Sequence, residues 1–367
     1  MKVEVLQDRL AKALSVVSRV AASTKAGLPI LSNVLLRAEG KQLTLTATNL
    51  ELATVEYVNA KVIKEGTITV PARLLADFIS NLPKETITLD VDGEKLTVSA
   101  GKYKSTINGI LADDYPELPT IDEKEAVTFR IPVEIFKEAV NQVIIAASND
   151  TTRPALTGVF FNTFEGSLYI AATDGYRLAD KKFVENVKSE IKAIIPTAAL
   201  REVLSSLSDS IEEIEVMIID SQIRFRLGEI EVTSKLIDAS FPDYRLLIPK
   251  DNNAEIILNK AELLRMTKVA ALFARESNGS IVCEAKDTDN SFSVSAVASE
   301  LGENSALMEA DVKESGKVTL NSKYLLDALN AATEDEISFC FSGKLSPVVI
   351  KNVKNNDYTH IIMPLKS

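Results

Sequence analysis

Residues able to do covalent, acid–base or metal chemistry are scarce in this chain and poorly spaced for it. Of 367 residues one is histidine, His360, set in an apolar run with no serine or cysteine nucleophile motif beside it. A general base there has nothing to activate, and a packed or edge imidazole is the simpler reading. Cys283 and Cys340 lie 57 residues apart (340 − 283) with no CxxC pair, which reads as two reduced, buried thiols and not as a zinc site or disulfide framework. Asp113 and Asp114 are adjacent acids ahead of Tyr115-Pro116, the composition of a solvated turn more than of a metal pair. No GxxxxGK[ST] or GxGxxG run offers a phosphate cradle. These residues point to a protein that binds, with no catalytic group, metal or cofactor.

Two sets of residues are suited to binding. The first is a series of cations on amphipathic segments: Arg9, Lys12 and Arg19 share the stripe opposite Leu10, Ala13, Leu14, Val17 and Ala21, and Arg73, Lys137, Arg201, Arg265, Lys268 and Lys323 fall on other helical stretches. The second is Thr173-Asp174-Gly175-Tyr176-Arg177-Leu178, a turn-forming stretch at the end of the alternating run Leu168 to Thr173.

The elements that must position these residues recur. Thr48, Thr173 and Ala298 end comparable alternating runs at a step of 125 residues (173 − 48 and 298 − 173), and Pro71, Pro196 and Asn321 keep the same step. A unit this long exceeds the roughly 20–50 residues of solenoid repeats, so each copy is expected to be a domain. The linker Tyr115-Pro116-Glu117 is matched by Phe241-Pro242-Asp243 126 residues later (241 − 115), and the expected domains are 1–126, 127–253 and 254–367. Within the first, a strand at Val3–Val5 and a helix precede three strands, Val34–Ala38, Leu43–Thr48 and Ala53–Val62. The order then restarts with Thr67–Val70, a helix Ala72–Leu82 and strands Thr86–Val91, Lys95–Ser99 and Lys102–Asn108. The second copy opens with a helix Val133–Ala147, and its second half holds the helix Ala198–Leu207; the third has its second helix at Ser322–Ala332. The fold class is therefore α+β, with helices on one side and sheet on the other, each domain a duplicated β-α-β-β-β unit. Three such domains in a row leave sheet edges at both ends, and a head-to-tail contact between two chains would cover them and close a ring.

The totals agree with a globular protein. A hydrophobic fraction of 46% and a charged fraction of 25% suffice for large cores. The net charge of −11 speaks against coating nucleic acid through a generally basic surface, and leaves room for a local basic track. No uninterrupted apolar run nears the ~18 residues of a membrane span and the first residues lack a signal-peptide pattern, so a cytoplasmic protein without membrane contact is expected.

The threefold repeat, Thr173-Asp174-Gly175-Tyr176-Arg177-Leu178, Phe241-Pro242-Asp243-Tyr244 and the terminal Met363-Pro364-Leu365 together resemble the bacterial DNA polymerase III beta subunit, the replicative sliding clamp. The resemblance spans the whole chain. It implies three DNA-clamp domains per chain and a homodimer that closes head-to-tail into a six-domain ring, with helices lining a hole for double-stranded DNA of any sequence. It further implies no catalytic activity, a clamp-loader ATPase that opens the ring, and a pocket that takes short peptides of the replicative DNA polymerase, other DNA polymerases and repair proteins. A peptide-binding scaffold of the same fold that does not encircle DNA is the alternative.

Site residues follow from that resemblance. The helix cations would meet phosphates without reading bases, joined by Lys25, Asn149 and Arg153 from loops beside the hole. The pocket walls would be Leu156, Thr173, Gly175, Tyr176, Arg177, Leu178, Pro242 and Leu247, with Asn321, Tyr324, Leu345, Pro347, Ile361, Met363, Pro364 and Leu365 from the third domain. An adaptable Met beside a rigid Pro suits a groove for several apolar anchors. Tyr176 stands where some relatives carry His, and Leu246 where some carry Arg. Ile107 on one side, and Leu272 and Phe273 on the other, are the candidates by position for the ring-closing contact.

Overall fold

The computed structural model describes residues 1–23, 28–118, 121, 124–187, 189–249, 254–300 and 302–365. The period-2 and period-3.6 patterns become strands and helices in the expected order. The first repeat runs β1 (Lys2–Leu6), α1 (Gln7–Ala22), β2 (Asn33–Glu39), β3 (Gln42–Thr48), β4 (Leu52–Asn59), β5 (Lys61–Lys64), β6 (Gly66–Pro71), α2 (Ala72–Ser80), β7 (Thr86–Asp92), β8 (Lys95–Ala100) and β9 (Tyr103–Asn108). The second holds β10 (Val127–Pro132), α3 (Val133–Ile144), β11 (Gly158–Phe164), β12 (Ser167–Thr173), β13 (Arg177–Val184), β14 (Lys192–Pro196), α4 (Thr197–Ser206), β15 (Glu213–Ile219), β16 (Gln222–Leu227) and β17 (Ile230–Lys235). The third holds β18 (Ala254–Asn259), α5 (Lys260–Phe273), β19 (Ser280–Lys286), β20 (Ser291–Ala298), β21 (Gly302–Glu309), β22 (Gly316–Asn321), α6 (Ser322–Ala331), β23 (Glu336–Phe341), β24 (Val348–Asn352) and β25 (Tyr358–Ile362). Each repeat is thus two β-α-β-β-β halves, with β5 as an addition to the first.

Two of the sequence readings change in detail. The expected strand Ala53–Val62 is two strands: β4 ends at Asn59, the Ala60 amide turns aside to donate to the Lys41 carbonyl (3.0 Å), and β5 leaves to pair with β1, Val62 opposite Val3. The helix expected to reach Ala147 stops at Ile144, because Ala146 and Ala147 donate to the carbonyls only three residues back (3.0 and 3.3 Å), and the chain then folds over so that Ser148 donates to Leu156 (2.8 Å).

The chain divides into two compact units that cut across the repeats. One comprises Met1–Val133 and Ala198–Leu236. It holds a five-stranded sheet, β5-β1-β7-β8-β9, and an eight-stranded sheet, β10-β15-β16-β17-β4-β3-β2-β6, in which β17 of the second repeat pairs antiparallel with β4 of the first. Under α1 and α2, the apolar stripe predicted for α1 (Leu10, Leu14, Val17) and Leu75 and Ile79 of α2 are fully buried with Leu36, Leu43, Leu45, Leu89 and Val98 from the sheets.

The other unit comprises Glu134–Thr197 and Ile237–Ser367. Its eight-stranded sheet runs β14-β11-β12-β13-β25-β24-β23-β18, again joining two repeats, here through β13 and β25; a four-stranded sheet, β21-β20-β19-β22, lies in the third repeat. Its main core gathers Ile256, Leu258, Leu263, Ile281, Phe292, Val294, Leu325 and Phe339, and a separate small cluster of Ala171, Leu178, Tyr244, Cys340, Val349 and Ile361 underlies the region of the Thr173–Leu178 turn. Both cysteines are free and buried, and burial pushes the Cys283 thiol up to about 12.

Candidate peptide cleft and nucleic-acid face

The turn between β12 and β13 is built by two side chains that bond to the backbone. Thr173 Oγ1 donates to the Arg177 carbonyl (2.6 Å) and accepts from the Gly175 amide (3.0 Å), while Asp174 Oδ1 accepts from the amides of Tyr176 (2.9 Å) and Arg177 (3.0 Å). Gly175 sits at φ +91°, where other residues are strained. The first repeat builds the same turn: Thr48 and Asn49 make the corresponding bonds, and Leu50 takes φ +76°. The backbone is shared, so what distinguishes the second repeat is its side chains.

The most consequential of these is Arg177, which is 8% exposed and faces inward. Its Nε donates to Asp174 Oδ2 (3.1 Å), its Nη1 to Asp327 Oδ2 on α6 (2.6 Å), and its guanidinium carbon lies 4.5 Å from the centre of the Tyr324 ring. Arg177 therefore does not stand as a free wall of a pocket. It bolts the turn to α6, and desolvation there raises the Tyr324 phenol, with Asp174 adding to the effect.

Around this bolt the chain leaves apolar groups in water. Leu178 pairs with Ile361 and Arg177 with Ile362 in the β13–β25 ladder. The terminal segment is then strapped down by Met363 donating to the Tyr176 carbonyl (2.8 Å) and Leu365 to the Thr319 carbonyl (2.8 Å). Tyr176 is 61% exposed and Met363 38%, while Pro364 and Leu365 are half-buried. Leu247 on the short turn Tyr244–Leu247 and Leu345 on the β23–β24 connection are exposed, as is Pro242; Leu156, Pro347 and Tyr324 are half-buried. Leu178 and Ile361 are 2% exposed and Thr173 5%, so these three belong to the interior and offer little surface to a ligand. The half-buried Asn321 is engaged in capping α6, accepting from the Lys323 (2.9 Å) and Tyr324 (3.4 Å) amides. Sequence reasoning missed Asp327, whose role is visible only once α6 is packed beside the turn.

His360 lies fully buried on β25, and its Nδ1 is 3.0 Å from the Tyr358 hydroxyl. Burial lowers its pKa to about 3, with Arg177 adding to the effect, so it is a neutral core group.

The helix cations are mostly free. Arg9, Lys12, Arg73, Arg201, Arg265, Lys268 and Lys323 are exposed and have no ion-pair partner among the described residues. Lys137 pairs with Glu134 (3.1 Å), and exposed Arg153 with Asp150 (3.5 Å) beside exposed Asn149. Arg19 differs from the expectation: it donates to buried Glu202 (2.7 Å) and to Ser206 (2.9 Å), tying α1 to α4. Lys25 lies outside the described residues.

Of the ring-closing candidates, Leu272 is 52% exposed and Phe273 packs partly against the core of its repeat. Ile107 is 7% exposed because the alternation of β9 turns its side chain inward, so that strand presents its backbone edge in place of Ile107. β9 and β21 are outermost in their sheets.

These features define a class: a triplicated α+β chain with free cations on its helices, outermost strands with open edges, exposed apolar side chains in the unit that holds the Thr173–Leu178 turn, and no catalytic constellation among the described residues. Its three parts match the family models of the DNA polymerase III beta subunit, N-terminal domain over residues 1–119, central domain over 130–243 and C-terminal domain over 245–366. The beta sliding clamp of Bacillus subtilis (strain 168) is 29% identical over 380 residues, covering 100% of both chains, and that of Staphylococcus aureus (strain Mu50 / ATCC 700699) is 29% identical over 359 residues, covering 95% of this chain and 94% of the other. The crystal structure of the B. subtilis clamp superposes with a TM-score of 0.95 at 28% identity, covering 100% of this chain and 99% of that one. A Pseudomonas aeruginosa clamp bound to griselimycin superposes at 0.93 and 27% identity, covering 100% of each chain. The chain belongs to the bacterial DNA polymerase III beta subunit family, the sliding clamps, which are processivity factors and not enzymes.

Proposed function

We propose that two copies of this chain close head-to-tail into a ring around duplex DNA and hold the replicative polymerase there by a peptide in the Tyr176–Met363 cleft. In this reading the chain is three clamp domains, 1–126, 127–253 and 254–367, and the edges of β9 and β21 from different chains pair where the ring closes, with Leu272 as the apolar contact beside them. The free cations of the helices face DNA and touch phosphates weakly. A closed ring needs no tight grip, since it cannot leave sideways, and tethering raises a partner's effective concentration at the DNA.

What supports this reading is the exposure of four large apolar side chains, Tyr176, Leu247, Leu345 and Met363, in the unit whose Thr173–Leu178 turn is locked by Arg177 and Asp174. A preformed apolar groove with few polar groups is what short peptides with apolar anchors require. A clamp-loading ATPase, other DNA polymerases and repair proteins carrying such a peptide are the further partners. Griselimycin, bound by the P. aeruginosa clamp and by that of Bartonella birtlesii, is assigned to the same cleft. No helix among the described residues is long and apolar enough to cross a membrane, and a cytoplasmic place beside the chromosome fits this role.

The test is retention on nicked circular DNA after loading. Loss of the protein on linearising the circle, with the salt held constant, is the expected result. Retention that ignores linearisation and follows salt alone would mean an ordinary binding patch.

A further inference from the structure

The segment Phe241–Leu247 is fastened to one face of its sheet by an aromatic cluster. Phe160 and Phe241 stack at 4.7 Å and 13° between planes, and buried Tyr244 donates its hydroxyl to Asp180 Oδ1 (2.7 Å). Next to them the Arg245 guanidinium carbon lies 4.1 Å from the ring centres of both Phe164 and Tyr169 and 5.3 Å from that of Tyr244. Its Nε and Nη2 are buried with no hydrogen-bond partner. Ring faces therefore hold this cation in place of acceptors. It is followed at once by Leu246, 82% exposed, and Leu247, 54% exposed.

The first linker supplies an internal comparison. One repeat earlier, the places of Phe160, Phe164, Tyr169, Asp180, Phe241 and Tyr244 are held by Leu35, Glu39, Thr44, Val55, Tyr115 and Leu118. There these residues line an open cavity of about 930 Å³. The first linker is also held to its sheet, by Tyr115, which is 7% exposed and donates to the Thr46 carbonyl (3.3 Å), but Pro119 stands in the sequence at the place of Arg245, so the cation among rings belongs to the second linker. Packing of a linker tyrosine onto the sheet is common to both repeats, and the Arg245 box is what the second linker adds.

We propose that Arg245 is a positioning residue of the peptide cleft, and that its aromatic box holds the Tyr244–Leu247 turn so that Leu246 and Leu247 form a rigid apolar lip. This inference rests on the cleft reading above. Large apolar side chains on a loose loop would have to be ordered by each ligand, whereas a lip fixed beforehand removes that cost from binding.

The experiment combines amide hydrogen exchange over residues 244–248 with calorimetric titration of griselimycin, on the full chain and on R245A, R245K and R245M. For R245A, exchange faster by about tenfold and a griselimycin Kd weaker by about tenfold are expected with the global thermal midpoint nearly unchanged, with R245K, which keeps the charge but not the plane, in between. R245M fills the space without charge and should behave as R245A. Unchanged exchange in R245A and R245M, or faster exchange with griselimycin affinity retained, overturns the proposal. Griselimycin ignored by the unaltered chain would remove the cleft reading itself, whereas binding by the unaltered chain and an indifferent R245A removes only this one.

Discussion

Arg177 and Asp327 are 150 residues apart in the chain and 2.6 Å apart in space, Nη1 to Oδ2. That contact joins the Thr173–Leu178 turn to the helix that also carries Lys323. Replacing Arg177 by Ala leaves Asp174, whose side chain is 14% exposed, and Asp327 without their cation. A loss of about 2–3 kcal/mol is expected from a broken, mostly buried ion pair, read as a lower denaturation midpoint, together with weaker griselimycin binding. Arg177→Lys should recover only part of both, since one ammonium does not span two carboxylates in the same plane.

The helix cations separate by role. Arg73→Glu, Arg201→Glu and Lys323→Glu should each leave thermal stability in place and shorten retention on DNA. The slope of log affinity against log salt should fall by about one for each phosphate that is no longer neutralised. Arg19→Ala should instead lower stability, by about 2 kcal/mol, because it strands buried Glu202. Equal stability of Arg19→Ala and the unaltered chain in urea would contradict this division.

Glu56 on β4 is 7% exposed with one carboxylate oxygen unpartnered, and burial pushes its pKa up to about 7 against the pull of Lys12 and Arg19. A carboxyl whose folded pKa is raised binds its proton more tightly when folded. Its contribution to stability is complete below about 4.5 and is lost as pH rises through about 7. Glu56→Gln, a permanent mimic of the protonated form, should match the unaltered chain at pH ~4 and exceed it by about 2 kcal/mol at pH ~8. Denaturation midpoints at the two pH values check the sign.

His360 has the opposite pH dependence. Its folded pKa of about 3 lies below the ordinary 6.5, so its contribution is complete above 6.5 and is lost as pH falls from there toward 3. His360→Gln should flatten the acid limb of the stability curve by about one proton. Its griselimycin affinity at pH 8 should stay that of the unaltered chain, in line with a core role.

Ring closure is checked by Leu272→Asp, which places a charge on a residue 52% exposed on α5. Sedimentation should show a shift from dimer to folded monomer. Ile107→Asp, by contrast, buries a charge in its own sheet and should unfold the first repeat before it affects association.

Much of this molecule is readable from local pattern. The 125-residue step, the duplicated halves, the buried stripes of α1 and α2 and the Thr173–Leu178 turn all rest on spacings within a few residues or on repetition along the chain, and a period of 2 or 3.6 is enough to say which side of an element is buried. Exposure of Arg73, Arg201 and Lys323 follows from the same periodicity. Local pattern says less where a second segment enters. Arg19 and Arg177 looked like surface or pocket residues by position, and each is engaged by a segment that no window of sequence contains, Glu202 and Asp327, whereas Ile107 is turned inward by the alternation of its own strand.

What the sequence alone determined is therefore the repeat, the class of every major element and the family. What the tertiary structure decided is which repeats share a sheet, through β4 with β17 and β13 with β25, and which charges are consumed inside the protein, Arg177 by Asp327 and Arg19 by Glu202. The reason is physical: side-chain periodicity is set by backbone geometry over a few residues, whereas strand partners and buried ion pairs are chosen by packing between segments more than a hundred residues apart.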